Sequence, residues 1–342
     1  MIILILKHSS QGDVVQALPV LRLLRLHLPK AEIFWWIDSS LASLLEDDPD
    51  LTGVVRFERR RWTHPRHWPE MLNSIHWMRA CAFDWVIDLQ GLLRSAAFAW
   101  LARGDFLVGM DDSREGANAF YDLAVPRPSP LAHAVDWYLA VLKKLEVPAN
   151  RPFTWLPLQP RVANLVQTRW PAQGVRWIAL QPGARWINKR WPVEHFAALV
   201  RELARKDSSL HFAIIGSASE ISLGKAIHEA CPGRSVNLCG QTTLPEMVEW
   251  IRRSSLLVTN DTGPMHVAAA LNRPVVALFG PTEPRRTGPY GQLDQVLRLP
   301  LSCSPCQKST CHRHPLHECL QNLSPGLVLD QIARLLPVTT PP

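Results

Sequence analysis

Three polar loops in this chain combine residue types that can hold an anion or move a proton. The first is Asn260-Asp261-Thr262-Gly263-Pro264-Met265-His266, directly after the apolar run 256–259. A buried strand that delivers a small Gly-bearing turn onto a helix start leaves backbone N–H groups unpaired. With the helix dipole they make an anion site. Asp261 or Thr262 as N-cap and Pro264 in the first turn explain the same residues as plain capping, and the two roles are compatible. The second loop, Arg185-Trp186-Ile187-Asn188-Lys189-Arg190-Trp191, sets three cations among aromatic residues just after a strand and Gly183. Such cations can neutralise a diphosphate, or they form a solvated basic loop. The third, Lys7-His8-Ser9-Ser10-Gln11-Gly12-Asp13, sets a carboxylate between a strand end and a helix start. There it can accept a proton as a general base or cap the helix. The roles compete, because capping favours the ionised form. Glu220, beyond Gly216-Ser217, can reach a ribose hydroxyl or complement a helix N-terminus.

A fourth cluster is of another kind. Cys303, Cys306, Cys311 and Cys319 fall within seventeen residues, with His312, His314 and His317 among them. The x2 spacing suits a structural zinc knot and the x4 and x7 spacings depart from one, so zinc, reduced thiols and a disulfide clasp all remain open. Cys81, Cys231 and Cys239 read as small buried residues. No P-loop, no zinc-protease helix motif and no intact G-x-G-x-x-G is present, which weighs against a dinucleotide cofactor.

The elements that must carry these loops alternate between strand and helix. Residues 2–6 read as a strand apolar on both faces, followed by a helix over 14–28. Strands at 33–37 and 85–88 come next, the latter leading through Asp88-Leu89-Gln90-Gly91 to a helix over 92–102. A proline-rich stretch at 126–130 precedes a helix over 132–145, and Pro148, Pro152, Pro157 and Pro160 mark a domain boundary near 148–172. The second half restarts the rhythm, with strands at 177–180, 210–215, 256–259 and 275–279. Helices follow at 192–205, 220–230, 265–271 and 325–336. The expectation is two doubly wound, parallel-sheet α/β domains with ligands beyond the strands' carboxyl ends.

Length and composition agree. The 342 residues suit two domains; 47% apolar with 20% charged residues excludes a disordered chain, and 7 Cys are too few for a disulfide scaffold. The longest uninterrupted apolar run, 96–102, is far too short to span a membrane. Residues 1–6 are too short for a signal-peptide core, so the expected location is the cytoplasm. The formal charge of +7 favours anionic partners, and residues 56–66 hold five Arg against one Glu. Seven of the 14 Trp lie in the first third of the chain, where they serve core packing, a membrane interface or ligand stacking.

Taken in order, five motifs resemble the ADP-heptose:lipopolysaccharide heptosyltransferases, the inverting glycosyltransferase family 9. They are Lys7-x-Ser9-Ser10-x-Gly12-Asp13, Asp88-Leu89-Gln90-Gly91-Leu92, Trp186-x-x-Lys189-Arg190-Trp191-Pro192, Asn260-Asp261-Thr262-Gly263-Pro264-Met265-His266, and Phe279-Gly280-Pro281-Thr282-x-Pro284-x-Arg286-Thr287-Gly288-Pro289. The resemblance covers about residues 1–335. It implies a GT-B fold, two Rossmann-like domains facing across a cleft. Residues 1–160 would bind acceptor, residues 161–325 would bind the nucleotide sugar, and residues 326–342 would form a terminal helix and tail.

The resemblance also implies roles. Asp13 matches the catalytic base, and Lys189 would stabilise departing ADP. Arg185, Glu220, Asp261, Thr262, Gly263 and His266 would hold the ADP-heptose donor, with Glu220 on the ribose. Lys7, Ser9, Ser10, Arg60, Arg61, Gln90 and Arg114 would face a Kdo-lipid A acceptor. Arg60-Arg61-Trp62 and Arg114-Glu115 lean toward addition of the first heptose onto Kdo; the second or a later heptose is the alternative. Diphosphate leaves unprotonated when cations and N–H dipoles hold it, so no cofactor or metal is required. Domain closure would limit donor hydrolysis, and the basic, Trp-rich first domain suits transient contact with the inner face of the membrane. Two rivals carry different expectations. A nucleotide-sugar epimerase would need no acceptor, and a nucleic-acid binder, not expected here, would use the 56–66 run.

Overall fold

The computed structural model describes residues 1–111, 115–150, 152–171 and 175–336. Arg114 lies outside them. The chain divides into two compact units, Met1–Pro157 and Leu158–Pro342.

The first unit is built on six parallel strands: β1 (Ile2–Leu6), β2 (Glu32–Asp38), β3 (Gly53–Phe57), β4 (Trp85–Asp88), β5 (Phe106–Asp111) and β6 (Leu123–Pro126). Their order is β3-β2-β1-β4-β5-β6. The order reverses between β1 and β4, so the loops after these two strands emerge side by side at the point where doubly wound sheets bind ligands. Leu6, paired with both Trp36 and Asp88, is the last residue of the ladder on this edge. Ile3, Leu4, Ile5 and Leu6 are all fully buried, as a strand covered on both faces must be. The core beside them is aromatic: Trp36 stacks on Phe57 at 4.3 Å, and Trp62 and Phe98 pack against the pair. Trp35, Trp36 and Trp62 are thus core, whereas Trp68, Trp77 and Trp100 are exposed.

The second unit repeats the plan with β7 (Arg176–Gln181), β8 (Leu210–Ile214), β9 (Ser235–Asn237), β10 (Leu256–Asn260), β11 (Val275–Leu278) and β12 (Val296–Leu297). All are parallel, in the order β12-β11-β10-β7-β8-β9. Here the reversal falls between β7 and β10, which carry the loops around Lys189 and Asp261. Phe196, Phe212, Trp191, Val258 and Leu278 fill the core. The terminal helix Pro325–Leu335 is part of this unit, because Val328 and Ile332 enter the same core.

Two local expectations are corrected. The first helix begins at Gln11 rather than at residue 14, with Ser10 as N-cap. Asp13 therefore stands in the first turn of the helix, not before it. Cys81 and Cys231 are only half-buried, because each sits where a helix gives way to a turn at the domain surface; Cys239 alone is buried as expected.

Candidate active site

On the first unit, the start of helix Gln11–His27 holds the Asp13 carboxylate against its own N-cap. Asp13 Oδ2 accepts hydrogen bonds from the Ser10 backbone N–H at 2.9 Å and from Ser10 Oγ at 2.7 Å. Capping and presentation of a carboxylate at the strand edge thus coexist in one residue. Lys7, the first residue past β1, is 3% exposed; its Nζ donates to the Leu89 carbonyl at 2.9 Å and stands 5.0 Å over the Tyr138 ring. Burial by itself lowers a lysine pKa, but Tyr138, Asp13 and Asp88 face this ammonium and hold it above the ordinary value. Lys7 braces the loops after β1 and β4 and adds positive charge near Asp13; it does not project as a surface cation.

Asp88 ends β4 in full burial, which pushes its pKa up against the hydrogen bonds that favour ionisation. Its Oδ1 accepts from the Gln90 and Gly91 N–H groups at 2.8 and 3.2 Å, and its Oδ2 from Tyr121 Oη at 2.8 Å. Gly91 takes φ of +68°, which this tight turn requires of glycine. The turn presents Gln90, whose Oε1 accepts from the Ser9 N–H at 3.4 Å, joining the two loops. Arg60 and Arg61 are exposed on the segment after β3, and Arg61 pairs with Glu70 at 2.7 Å. Their neighbour Trp62 belongs to the core. Glu115 accepts from the Leu93 N–H at 3.1 Å.

On the second unit, three loops meet at one carboxylate. Asp261 Oδ2 lies 2.6 Å from Lys189 Nζ and accepts from Thr282 Oγ1 at 2.6 Å. Lys189 also stands 4.7 Å over the Trp186 ring. Asn260, fully buried at the end of β10, donates to the Pro182 and Gly183 carbonyls at 2.8 and 3.3 Å and accepts from the Trp191 N–H at 3.0 Å. It therefore fixes the loop that bears Arg185 and Lys189 against β10. Thr262 is the N-cap of helix Gly263–Ala270, so Gly263 begins the helix and its N–H is among those no intrahelical carbonyl accepts. His266 is buried on this helix, and Arg185 is exposed.

Glu220 is buried beside this edge. Its Oε2 accepts from the Ser217 N–H at 2.7 Å and Ser217 Oγ at 2.9 Å, and a Cβ on Gly183 would fall 1.4 Å from its Oε1. Gly183 is thus what lets the loop after β7 close over the Glu220 carboxylate. The site includes three residues to which the sequence reading gave no role: Asn260, Thr282 and Tyr138. Asn260 and Thr282 stood at the ends of apolar runs, a signal that points to a sheet edge. Tyr138 comes from helix Ala134–Lys144 and has no local signal.

This architecture, two doubly wound six-stranded sheets with polar loops at each switch point, is the GT-B fold. The model of "Glycosyltransferase family 9 (heptosyltransferase)" matches residues 71–317. Lipopolysaccharide heptosyltransferase 1 of Pseudomonas aeruginosa is 28% identical, with 98% of each chain covered. Lipopolysaccharide heptosyltransferase 2 of Escherichia coli K12 is also 28% identical, with 98% of each chain covered. The structure of E. coli heptosyltransferase WaaC with ADP-2-deoxy-2-fluoro heptose superposes with a TM-score of 0.78 at 25% identity, covering 98% of this chain and all of that one. The chain belongs to glycosyltransferase family 9, and it is a glycosyltransferase.

Proposed function

We propose that this enzyme transfers heptose from ADP-L-glycero-D-manno-heptose, with inversion, to the Kdo region of the lipopolysaccharide inner core. The observation that carries the reading is the junction of Lys189, Asp261 and Thr282 at the start of helix Gly263–Ala270. It sets a cation and a helix start where a diphosphate can be held, with a carboxylate able to accept hydrogen bonds from a sugar. The WaaC complex with an ADP-heptose analogue, on the same fold, supports the donor.

The chemistry follows from the residues. An acceptor hydroxyl is too weakly acidic to attack unaided, and Asp13 takes its proton as the new bond to the anomeric carbon forms. Attack opposite ADP inverts that carbon. Lys189 and the free N–H groups around Thr262 and Gly263 stabilise the negative charge gathering on the departing diphosphate, so the leaving group needs no proton, and the reacting atoms need no metal or cofactor. Glu220 takes the ribose hydroxyls, and Arg185 meets the phosphates from the exposed side of its loop. Arg60, Arg61 and the amide of Gln90 meet the anionic acceptor, with Ser9 and Ser10 beside the base; Arg114, outside the described residues, is assigned to the acceptor from the family resemblance alone.

Addition of a second heptose is the other reading, favoured by the equal identity and coverage of the E. coli heptosyltransferase 2. Kdo-lipid A and heptosylated Kdo-lipid A, offered separately with the donor and followed by mass spectrometry, distinguish them. Product from the first alone supports the Kdo acceptor; product from the second alone replaces it.

The acceptor is lipid-anchored. No helix among the described residues is long and apolar enough to cross a membrane. Helix Trp68–Ala80 exposes Trp68 and Leu72, next to the Arg59-Arg60-Arg61 run. This pairing of apolar and basic surface supports transient docking on the anionic cytoplasmic face of the inner membrane. Equal sedimentation with neutral and anionic vesicles would rule that docking out.

A further inference from the structure

Residues 298–317 form a twenty-residue segment without helix or strand, and none of its residues is buried. Irregular segments of this length need a source of order, and here only Leu299 packs against the core of the unit. The segment is nevertheless attached at defined points. Ser304 Oγ donates to the Gly280 carbonyl at 2.6 Å, the Gln307 N–H to the Pro281 carbonyl at 2.7 Å, and Asn188 Nδ2 to the Lys308 carbonyl at 2.8 Å. It is therefore fastened beside both Lys189 and Thr282.

Four cysteines, all free thiols, line one cavity of about 170 Å³ under this segment: Cys303, Cys306, Cys311 and Cys319. Cys319 packs against Gly280, where a Cβ would come within 2.8 Å of its sulfur. Cys311 Sγ already accepts the His317 N–H at 3.4 Å. Lys308 and Arg313 line the same cavity and bring positive charge to it.

We propose that Cys303, Cys306, Cys311 and Cys319 bind one thiophilic divalent cation, zinc by preference, as a structural clasp of the 298–317 segment. Four thiolates suit a tetrahedral ion that has no redox chemistry of its own. Binding deprotonates four thiols, releases four protons and leaves a complex of net charge −2, which Lys308 and Arg313 offset. Among the described residues no three His, Cys, Asp or Glu side chains are already gathered as a metal site. Binding therefore requires the four side chains to move toward one another. The clasp uses none of the residues assigned to the proton transfer or to the donor, and it stands independently of the donor assignment.

The test uses the full chain, purified without chelating resin. Metal content by mass spectrometry should give one zinc per chain. Co2+ added to the stripped protein should produce thiolate charge-transfer and tetrahedral ligand-field bands. Cys306→Ser removes an exposed ligand without disturbing the core, and it should weaken binding more than the roughly 10–100-fold typical of changes outside the ligand set. Cys81→Ser should leave binding unchanged. Zinc should also slow tryptic cleavage at Lys308 and Arg313. A stripped protein that gives no Co2+ bands, or a Cys306→Ser variant that binds as tightly as the wild type, overturns the proposal. Disulfides among these four cysteines in freshly isolated protein would overturn it as well.

Discussion

The Lys189 ammonium lies 2.6 Å from the Asp261 carboxylate, although the two are separated by 72 residues of sequence. Without donor the pair neutralises itself, so an incoming diphosphate must share Lys189 with Asp261 and meets a like charge beside it. Asp261→Asn should therefore tighten binding of ADP by about threefold to tenfold, the worth of one partly exposed charge contact. The same variant should slow transfer from the sugar nucleotide. Lys189→Met should weaken ADP and lower kcat by about 100-fold or more, the usual cost of one preorganised charge-stabilising donor. Calorimetry with ADP and initial rates with ADP-heptose measure the two effects separately.

Asp13 has two duties that a substitution can separate. Asp13→Asn keeps the shape of the side chain and should lower kcat by about 10²–10⁴-fold with ADP affinity unchanged. Asp13→Ala also removes both contacts with Ser10, at a cost of about 1 kcal/mol in stability. Thermal melts of both variants check that the rate loss does not follow the stability loss. Equal activity of Asp13→Asn and wild type would remove Asp13 from the proton transfer.

Gly183 and Glu220 form a testable pair. Gly183→Ala places a methyl group 1.4 Å from Glu220 Oε1 and must displace that carboxylate. ADP affinity should fall about tenfold, and it should fall by a similar factor in Glu220→Ala. In the Glu220→Ala background the alanine at 183 should add little, because the group it strikes is gone. A fully additive double variant would mean that the two act separately.

Stability should carry an acid-sensitive contribution from His8. The ring is 2% exposed, edge-on to Trp36 and Phe57, and burial, followed by Lys7, Arg59 and Arg94, lowers its pKa to about 4. A histidine held neutral in the fold, with an ordinary value of 6.5 when unfolded, binds its proton only in the unfolded state between these pH values. The stabilisation is complete above pH 6.5 and is lost as pH falls toward 4, amounting to about 3 kcal/mol across that window. Urea midpoints should drop over this range in the wild type and drop less in His8→Gln.

The parts of the fold that were legible in sequence are the central strands. β1, β4, β7 and β10 are apolar on both faces, and each ends in a polar loop. The edge strands were not read, because they lack that signature: Ser235–Asn237 is half-buried throughout and Val296–Leu297 has only two residues. Helix Trp68–Ala80 buries only Ile75 and Met78, too little for a clear apolar stripe. Helix Leu244–Arg253 was not read either, although Thr243 and Glu246 form a capping box at its start. At the site, the loops were legible one by one, but their meeting was not. Lys189 reaches Asp261 because β7 pairs with β10, and Tyr138 reaches Lys7 because its helix packs on that side of the sheet. Neither neighbour relation is written in local sequence.

The most direct measurement is to incubate purified protein with ADP-heptose and Kdo-lipid A, with no added metal and with Asp13→Ala alongside. Mass spectrometry then follows the lipid, and NMR reads the anomeric configuration of the product. One heptose added with inversion by the wild type, and none by the variant, is the expected result. Folded protein that binds no ADP and transfers no heptose to either Kdo-lipid A or its heptosylated form would contradict both the donor and the reaction assigned here.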